Sequence, residues 1–319
     1  MRCSVATLHG MRLQDAIPSD NAVLIRDVGP RDGLQALGQH VPLDIKQQLV
    51  ADLVTAGVSR IEAGSFVSPK AVPQMADSAE VFAQMSDATV REALVVNERG
   101  ARQSIDADVD VLVGVVSVSD TFSHRNVRMS TMDAVAELAK IIAIADAADR
   151  PVSVDLSAAF GCAFEGPTAV EDVATVAASI AATGVAEIVL ADTIGAAAPN
   201  DIAVVVDAVR ERVGGGVALG LHLHDTRGLA LANAAAGIEA GVRRFDASVG
   251  GLGGCPFSPG ATGNVCTEDL VHLFHALGYD TGIDLDALIA AAARAETSLG
   301  FELPSRMLRA GPRFARLAS

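Results

Sequence analysis

The sequence lacks the features that would define a secreted, membrane or nucleic-acid-binding protein. Its four cysteines are widely separated, without a CxxC pair, so we expect no disulfide framework and a location in a reducing cytoplasm. No apolar run approaches the ~18 residues of a membrane-spanning helix, and no such helix is expected. The formal net charge of −15 at pH 7 argues against binding to nucleic acid or to an anionic membrane through bulk charge. An anionic substrate must then be held by local arginines, backbone N–H groups or a metal ion.

A linker rich in Pro, Gly and Ser is also missing, so we expect one domain over residues 21–319. Residues 1–20 have no strong apolar core and do not resemble a secretory signal. We expect a poorly ordered extension there, with Met11 as an alternative start. Tryptophan is absent, Tyr279 is the single tyrosine, and arginine far exceeds lysine. This composition is typical of a high-GC bacterial coding sequence.

What the sequence does contain is an alternation, repeated eight times, of short β-branched runs and longer segments of helical periodicity. Several runs, such as Val109 to Val118, are nearly continuous in apolar residues, which is typical of parallel strands covered on both faces. The helical segments Leu43–Ala56, Met132–Ala148 and Val170–Thr183 have the usual start and stop signals. The pattern predicts an α/β fold, a (β/α)8 TIM barrel, with additional C-terminal helices over Thr267 to Thr297. The predicted strands are Ala22–Val28, Arg60–Ala63, Thr89–Val96, Val109–Val116, Val152–Leu156, Glu187–Ala191, Ala218–His224 and Arg244–Ser248.

Polar residues collect at the carboxyl ends of these predicted strands. Active sites of (β/α)8 barrels lie at that end, so we expect the side chains to meet at one mouth of the barrel. In chain order they are Asp27, Arg31, Asp32, Glu62, Ser65, Ser117, Ser119, Asp120, Ser157, Asp192, His222 and His224.

His222 and His224 lie two apart in an apolar run, and residues two apart in a strand point to the same side. Both imidazoles can therefore reach one ion, although two structural histidines at a strand end are the alternative. Asp32 offers a carboxylate, and Arg31 beside it can polarise a carbonyl or an alkoxide; a simple Asp-Gly turn is the alternative there. A carboxylate, two imidazoles and an amide oxygen suit a borderline-to-hard divalent ion.

A second unusual stretch, Gly250–Gly260, places Cys255 among glycines. The glycines permit positive φ and close backbone approach. We expect the thiol on a mobile lid, where it can donate or accept a proton; a flexible loop or a phosphate-binding loop is the alternative. Asn264 follows, either as the N-cap of the next helix or with its amide oxygen toward the ion. Cys162 and Cys266 are expected to be packing residues.

Together these stretches resemble the 3-hydroxy-3-methylglutaryl-CoA lyase family of the DRE-TIM metallolyase superfamily, over about residues 23–282. The cysteine-containing glycine loop is the most specific part of the resemblance, because related synthases carry a different sequence there. The matching motifs are Val28-Gly29-Pro30-Arg31-Asp32-Gly33-Leu34-Gln35, Ser65-Phe66-Val67-Ser68-Pro69-Lys70, Asp192-Thr193-Ile194-Gly195, His222-Leu223-His224-Asp225-Thr226, Gly251-Leu252-Gly253-Gly254-Cys255-Pro256, Gly260-Ala261-Thr262-Gly263-Asn264 and Thr267-Glu268-Asp269-Leu270-Val271.

The resemblance implies a metal-dependent acyl-CoA lyase that cleaves 3-hydroxy-3-methylglutaryl-CoA, or a close homologue, to a keto acid and acetyl-CoA. It implies Mg²⁺ or Mn²⁺, no organic cofactor, no nucleic-acid or membrane partner, and a homo-oligomer, either dimer or tetramer. The implied metal ligands are Asp32, His222, His224 and Asn264.

The resemblance also implies roles for the remaining site residues. Arg31 binds the C3 oxygen of the substrate, and Cys255 takes part in proton transfer to the acetyl-CoA enolate. His222 or Asp192 is the expected base for the hydroxyl. The residues expected to orient ligands or relay protons are Glu62, Asp192 and Asp27. The expected substrate-binding residues are Arg31, Gln35, Ser65 and Ser157.

The chain departs from the family pattern around the substrate. Ala36-Leu37-Gly38 replaces a polar, basic-ended stretch, Asp155 stands where the fifth strand often presents a Tyr, and the loop Ser119–Met129 keeps little of the usual pattern. A lyase for citramalyl-CoA or for an isoprenoid-derived hydroxyacyl-CoA is therefore the alternative for the substrate. The alternatives for the activity are a synthase of the same superfamily, resembling isopropylmalate or homocitrate synthase, and a non-catalytic metal- or CoA-binding barrel.

Overall fold

Eight parallel strands close into a barrel in the computed structural model, which describes residues 21–254 and 263–314. The strands follow one another in chain order around the barrel, and the eighth pairs back onto the first. The predicted (β/α)8 barrel is confirmed. The predicted extension over residues 1–20 lies outside the described residues, as does Cys255.

All eight predicted strands are present, and their ends differ from the predicted ends by no more than two residues. They alternate with helices because apolar, β-branched runs covered on both faces favour parallel strands joined by helical crossovers. The strands are β1 Leu24–Asp27, β2 Arg60–Ser65, β3 Val90–Leu94, β4 Val111–Ser117, β5 Val152–Ser157, β6 Glu187–Asp192, β7 Ala218–Leu223 and β8 Arg244–Ala247.

The helices begin and end at the signals that the sequence carries. The side chain of Ser130 accepts a hydrogen bond from the backbone of Asp133 and so caps the helix that follows. Gly57, Gly184 and Gly241 have φ of +91°, +93° and +83°, so each helix-to-strand turn uses a conformation that favours glycine. The helices are α1 Leu43–Thr55, α2 Ser78–Phe82, α3 Glu98–Asp106, α4 Asp120–Val127, α5 Thr131–Asp146, α6 Val170–Ala181, α7 Pro199–Val213, α8 Ala230–Glu239, α9 Thr267–Ala276, α10 Leu285–Leu299 and α11 Arg306–Ala310.

The predicted C-terminal helices are also confirmed, as α9 and α10. In the described part of the chain, no helix is both long and apolar enough to cross a membrane.

The interior of the barrel is charged, in contrast to the apolar layers that usually fill such barrels. Arg60 donates to Glu187 through two hydrogen bonds of 2.7 and 3.0 Å and also pairs with Glu92. Arg244 donates to Glu187 over 3.1 Å. These side chains are all buried, and burial of an unpaired charge is costly. The pairing therefore constrains which strands face one another across the barrel.

A candidate metal centre at the mouth of the barrel

Two imidazoles meet at the carboxyl end of β7. His222 belongs to the strand, and His224 follows directly after it in an isolated bridge with Asn264. Their Nε2 atoms lie 3.2 Å apart, and both side chains are buried. The predicted same-side arrangement is therefore present, and two nitrogen lone pairs converge on one point.

Asp32 reaches the same point from the other end of the sequence. It lies in a short π-helical turn, Gly29–Gly33, that follows β1 directly. One carboxylate oxygen and one nitrogen from each of His222 and His224 all lie within 4.8 Å of one another. The strand pairing of β1 with β8, and of β8 with β7, brings these two distant segments together.

Asn264 belongs to this cluster and is not the N-cap of the next helix. Helix α9 begins at Thr267 with Cys266 in the capping position, so the capping alternative is wrong. The Asn264 Nδ2 donates to Asp32 Oδ2 over 2.7 Å. Its Oδ1 is buried and has no hydrogen-bond partner among the described residues. That amide oxygen is available to a ligand.

A further carboxylate, that of Asp246 on β8, binds the ring nitrogen of His222 that faces away from His224. The His222 Nδ1 donates to Asp246 Oδ2 over 3.1 Å, and the two residues are also register partners across β7 and β8. This bond fixes the proton on Nδ1 and leaves the Nε2 lone pair for an ion. Asp225, next to His224 in sequence, does not take this place, because its Oδ1 accepts from the backbone of Ala230 at the start of α8. The sequence marks Asp246 only as a charged residue inside a buried strand, and its register with His222 is known from the structure alone.

The electrostatics of the three groups favour a cation. Burial lowers the pKa of His224 to about 4, helped by the charge of His222, so its ring is neutral at neutral pH. Burial opposes ionisation of Asp32, but the charges of Arg31 and His222 bring its pKa below the ordinary value. Burial likewise opposes the charged form of His222, and its hydrogen bond to Asp246 raises its pKa nonetheless.

The residues present fit a divalent ion. The donor atoms are one carboxylate oxygen, two imidazole nitrogens and a buried amide oxygen that lacks a partner, a set suited to a borderline-to-hard ion. Around them, the guanidinium groups of Arg26 and Arg31 contact five carboxyl groups, those of Asp32, Glu62, Glu92, Asp155 and Asp246. This excess of carboxyl groups over guanidinium groups favours additional positive charge.

Arg31 lies beside the cluster with one donor to spare. Its Nη1 donates to Asp32 Oδ1 over 2.9 Å and its Nη2 donates to Glu62 Oε2 over 2.7 Å. The Nη2 also lies 3.9 Å from Asp155 Oδ2. The Nε is buried without a partner in the described part of the chain. The guanidinium is therefore held in place by carboxylates and still has an N–H for another acceptor.

Glu62 is the carboxyl closest to Arg31 that keeps a free oxygen. It is fully buried on β2, and its Oε1 has no partner among residues that the structure describes. Burial raises its pKa to about 7, against the opposing charges of Arg31 and Arg26. Such a group can exchange a proton near neutral pH.

Asp192 and Asp27, the other carboxyls of the prediction, are engaged by their own surroundings. The two oxygens of Asp192 accept from the backbone of Ala196 and Ala197 over 2.8 and 3.0 Å, and burial raises its pKa. Asp27 accepts from the Thr267 hydroxyl and from the backbone of Gly29. These bonds tie β1 and the turn after it to α9, whereas no bond joins Asp27 to the described ligand atoms.

The predicted substrate-binding residues are at the ends of β2 and β5 and in the turn after β1. The Gln35 Oε1 and the Ser65 Oγ are buried without a partner in the described chain. Ser157 ends β5 and is 9% exposed. The expected mouth residues Ser119 and Asp120 instead stabilise local structure: Ser119 caps α4, and Asp120 accepts from the backbone of Thr131.

The segment that contains Cys255 begins and ends at the metal cluster, although Cys255 itself lies outside the described residues. Gly253 and Gly263 have φ of +122° and +102°. A Cβ on Gly253 would be 2.5 Å from the Asn264 amide, and one on Gly263 would be 2.3 Å from the Gly253 carbonyl. Glycine is therefore required at both places for the backbone to approach Asn264. The two cysteines expected to be packing residues, Cys162 and Cys266, are both buried.

Fold and site together define a (β/α)8 barrel with a candidate metal centre at its mouth. The chain belongs to the HMGL-like family, whose family model matches residues 22–294. This is a metal-dependent superfamily, and the predictions of family membership and of a carbon–carbon lyase are confirmed.

Relatives with curated activities cover nearly the whole chain. Hydroxymethylglutaryl-CoA lyase of Pseudomonas mevalonii is 41% identical over 287 residues, which are 89% of this chain and 95% of that protein. The (R)-citramalyl-CoA lyase of Chloroflexus aurantiacus is 39% identical over 310 residues, covering 93% of this chain and 98% of that protein. Both relatives are lyases.

Solved structures of other proteins are also similar to this chain. An HMG-CoA lyase of Acinetobacter baumannii, in complex with coenzyme A and 3-methylmalate, has a TM-score of 0.89 and 39% identity, and covers 94% of this chain and 98% of its own. The carboxyl transferase domain of Rhizobium etli pyruvate carboxylase, at 18% identity and a TM-score of 0.72, shares the fold alone.

Proposed function

We propose that this chain cleaves 3-hydroxy-3-methylglutaryl-CoA, or a close homologue, to a keto acid and acetyl-CoA with Mg²⁺ or Mn²⁺. The observation that carries the proposal is Arg31, which lies beside Asp32 and keeps a buried Nε without a partner in the described chain. A preorganised N–H donor in a buried site is suited to an oxygen on which negative charge develops. The HMG-CoA lyase relative, and the HMG-CoA lyase structure solved with coenzyme A, support an acyl-CoA substrate.

We assign Asp32, His222, His224 and Asn264 to the ion. When bound, a divalent ion supplies a Lewis acid that polarises the C3 oxygen of the substrate. Asp246 keeps the Nδ1 proton of His222, so that Nε2 faces the site. The two imidazoles favour Mn²⁺ over Mg²⁺, because Mg²⁺ prefers oxygen ligands.

The reaction breaks the C2–C3 bond of the substrate and is balanced without an oxidant or a reductant. The C3 hydroxyl loses its proton and the C3 oxygen becomes a carbonyl. The electron pair of the C2–C3 bond passes to C2 as the thioester enolate, which takes up a proton to become acetyl-CoA. Arg31 donates to the C3 oxygen, and this hydrogen bond strengthens as negative charge develops there.

Glu62 is the carboxyl that we assign to receive the hydroxyl proton, in place of His222 or Asp192. Its Oε1 is buried without a partner in the described chain, and its pKa of about 7 suits proton transfer near neutral pH. The oxygens of Asp192 already accept from backbone N–H groups, and the Nδ1 of His222 is held by Asp246. Asp192 is then our candidate for orienting a ligand and not for receiving the proton.

Cys255 is our candidate for returning the proton to C2. The residues that flank its segment, Gly253 and Gly263, lie against each other and against Asn264. Cys255 is two residues after Gly253 in the sequence, and Gly253 lies against Asn264, one of the residues that we assign to the ion. We assign the acyl part of the substrate to Gln35, Ser65 and Ser157, since the first two carry buried polar atoms without partners in the described chain.

The proposal is tested by release of acetyl-CoA in a coupled assay with Mn²⁺ or Mg²⁺. Hydroxymethylglutaryl-CoA, citramalyl-CoA and a longer branched analogue are compared at equal concentration, with His224→Ala as the matched inactive control. We expect the highest kcat/KM for hydroxymethylglutaryl-CoA. No release from any of the three substrates would contradict the proposal.

Citramalyl-CoA is the second candidate substrate. It is favoured by the Chloroflexus aurantiacus relative, which this chain matches over 98% of that protein, and by the unusual Asp155 on β5. A kcat/KM for citramalyl-CoA above that for hydroxymethylglutaryl-CoA would decide for it. The single domain over residues 21–319, the cytoplasmic location and the homo-oligomer stay predictions from the sequence.

A further inference from the structure

A buried arginine on β1, Arg26, bridges two carboxylates beneath the metal centre. Its Nε and Nη2 donate to the two oxygens of Asp246 over 2.8 and 2.5 Å. The Nη2 also donates to Asp155 Oδ1 over 2.7 Å. Asp246 comes from β8 and Asp155 from β5, so one guanidinium joins two strands that do not pair. Arg26 is 2% exposed.

Each of the two carboxylates also faces a group of the site. The second contact of Asp246 is with the Nδ1 of His222, at 3.1 Å. The free oxygen of Asp155, Oδ2, lies 3.9 Å from the Nη2 of Arg31. A continuous series of charged contacts therefore runs from His222 through Asp246, Arg26 and Asp155 to Arg31.

We propose that Arg26 is a positioning residue that fixes His222 and Arg31 relative to each other. A guanidinium that binds both oxygens of a carboxylate sets the plane of that carboxylate, and the plane of Asp246 sets the direction of the His222 ring. By the same route Arg26 holds the carboxylate of Asp155 beside Arg31. The kinetic part of this inference rests on the proposed lyase function, whereas the part that concerns His222 does not.

The geometry distinguishes Arg26 from the other interior arginines. Arg60 and Arg244 bind Glu187. Glu187 is the first residue of β6 and therefore lies at the end of the strand away from the mouth. Among the described residues, Glu187 makes no hydrogen bond or ion pair with His222 or Arg31. A merely structural charge pair would then behave as Arg244 does. Arg26 also contacts Glu92 over 3.4 Å, but it would act on the site through Asp246 and Asp155.

The first experiment compares Arg26→Lys with Arg244→Lys. Lysine keeps the charge but has no fork of donors, so each variant loses the bidentate geometry at one interior site. Three quantities are measured: the Mn²⁺ dissociation constant by electron paramagnetic resonance without substrate, kcat and KM for acetyl-CoA release, and Tm. We expect Arg26→Lys to weaken Mn²⁺ binding and lower kcat by about 10- to 100-fold, with KM little changed. We expect Arg244→Lys to leave Mn²⁺ affinity and kcat unchanged.

The second experiment separates the two halves of the series with isosteric variants. Asp155→Asn keeps an acceptor for Arg26 and removes the charge that faces Arg31, so we expect a lower kcat with unchanged Mn²⁺ affinity. Asp246→Asn weakens the support of His222, so we expect weaker Mn²⁺ binding. These variants decide the question even where Arg26→Lys does not fold.

Equal losses in Mn²⁺ affinity and kcat for Arg26→Lys and Arg244→Lys would overturn the proposal, as would wild-type kcat in Asp155→Asn or wild-type Mn²⁺ affinity in Asp246→Asn. If the wild-type chain releases no acetyl-CoA from any of the three substrates, the proposed function fails. The Mn²⁺ comparison then still decides the link from Arg26 to His222.

Discussion

The Nε2 atoms of His222 and His224 lie 3.2 Å apart at the end of β7. Two unprotonated nitrogens so close repel each other through their lone pairs, and either a shared proton or a cation bound by both rings relieves that repulsion. The carboxylate of Asp32 lies within reach of the same point. The geometry therefore ties the stability of this end of the barrel to metal binding.

We predict that Mn²⁺ raises the Tm of the protein and that chelation with EDTA lowers it. Binding to the folded state alone stabilises by about 2.7 kcal/mol at an ion concentration 100 times the dissociation constant. The shift is measured by differential scanning fluorimetry. His224→Ala should abolish it, whereas His40→Ala, at an exposed histidine, should retain it. An equal Mn²⁺ shift in both variants would place the ion elsewhere.

Arg31→Gln should abolish cleavage while leaving metal binding largely intact. Glutamine loses the charge and the Nε donor, and loss of one donor to a developing oxyanion lowers kcat by about 10²- to 10³-fold. The ligand atoms of Asp32, His222 and His224 stay in place. Steady-state kinetics and a Mn²⁺ titration measure the two effects. Normal turnover in Arg31→Gln would remove Arg31 from the mechanism.

Cys255→Ser should lower kcat by about 10²- to 10⁴-fold, the usual contribution of a positioned proton donor, with the fold preserved. A serine hydroxyl is a far weaker acid than a thiol, so proton return to C2 slows. Cys162→Ser is the matched control, because the Cys162 thiol is buried against the Ser119 hydroxyl at 3.0 Å. Wild-type activity in Cys255→Ser, measured with Tm alongside, would exclude a catalytic thiol at this position.

Glu268→Gln should change how stability depends on pH. Burial raises the pKa of Glu268 from 4.5 to about 8, so between these values the folded state binds a proton that the unfolded state has lost. The wild-type free energy of unfolding therefore falls as pH rises through this window, by up to about 1.4 kcal/mol per pH unit from this group. Above the folded pKa no further loss occurs.

Glu268→Gln lacks this pH-dependent contribution to the free energy of unfolding. Its glutamine can still accept the hydrogen bond from the backbone N–H of Gly250 that Glu268 accepts at 2.9 Å. Denaturant unfolding at about pH 5 and about pH 9 should show the variant gaining stability relative to wild type at the higher pH. Glu302→Gln, at an exposed carboxyl, is the control. A constant difference between Glu268→Gln and wild type at both pH values would contradict the burial argument.

The strands and helices could be predicted because their signals are local. Parallel strands covered on both faces need nearly continuous apolar runs, and a helix start such as Ser130 or a helix end such as Gly57 is marked by one residue. The approximate site followed from the barrel, since the ends of parallel strands meet at one mouth. His222 and His224 then had to point to the same side.

The support of the site could not be predicted in the same way. Asp246 and Arg26 lie inside buried strands, where a charged residue gives no indication of which partner it meets across the barrel. Asp225 is adjacent to His224 in sequence, but its side chain accepts from the backbone of Ala230, the first residue of α8. Asn264 was equally compatible with a helix cap until α9 was found to begin at Thr267.

The sequence by itself determined the eightfold alternation, the mouth at which the polar residues collect, and the kinds of atoms offered there, because these depend on local periodicity and on residue chemistry. Only the tertiary structure decided that Asn264 joins Asp32, that Asp246 holds His222, and that Arg26 connects both sides of the site. Those contacts depend on barrel closure and on strand register, and a buried charge finds its partner only when distant strands come within hydrogen-bond distance.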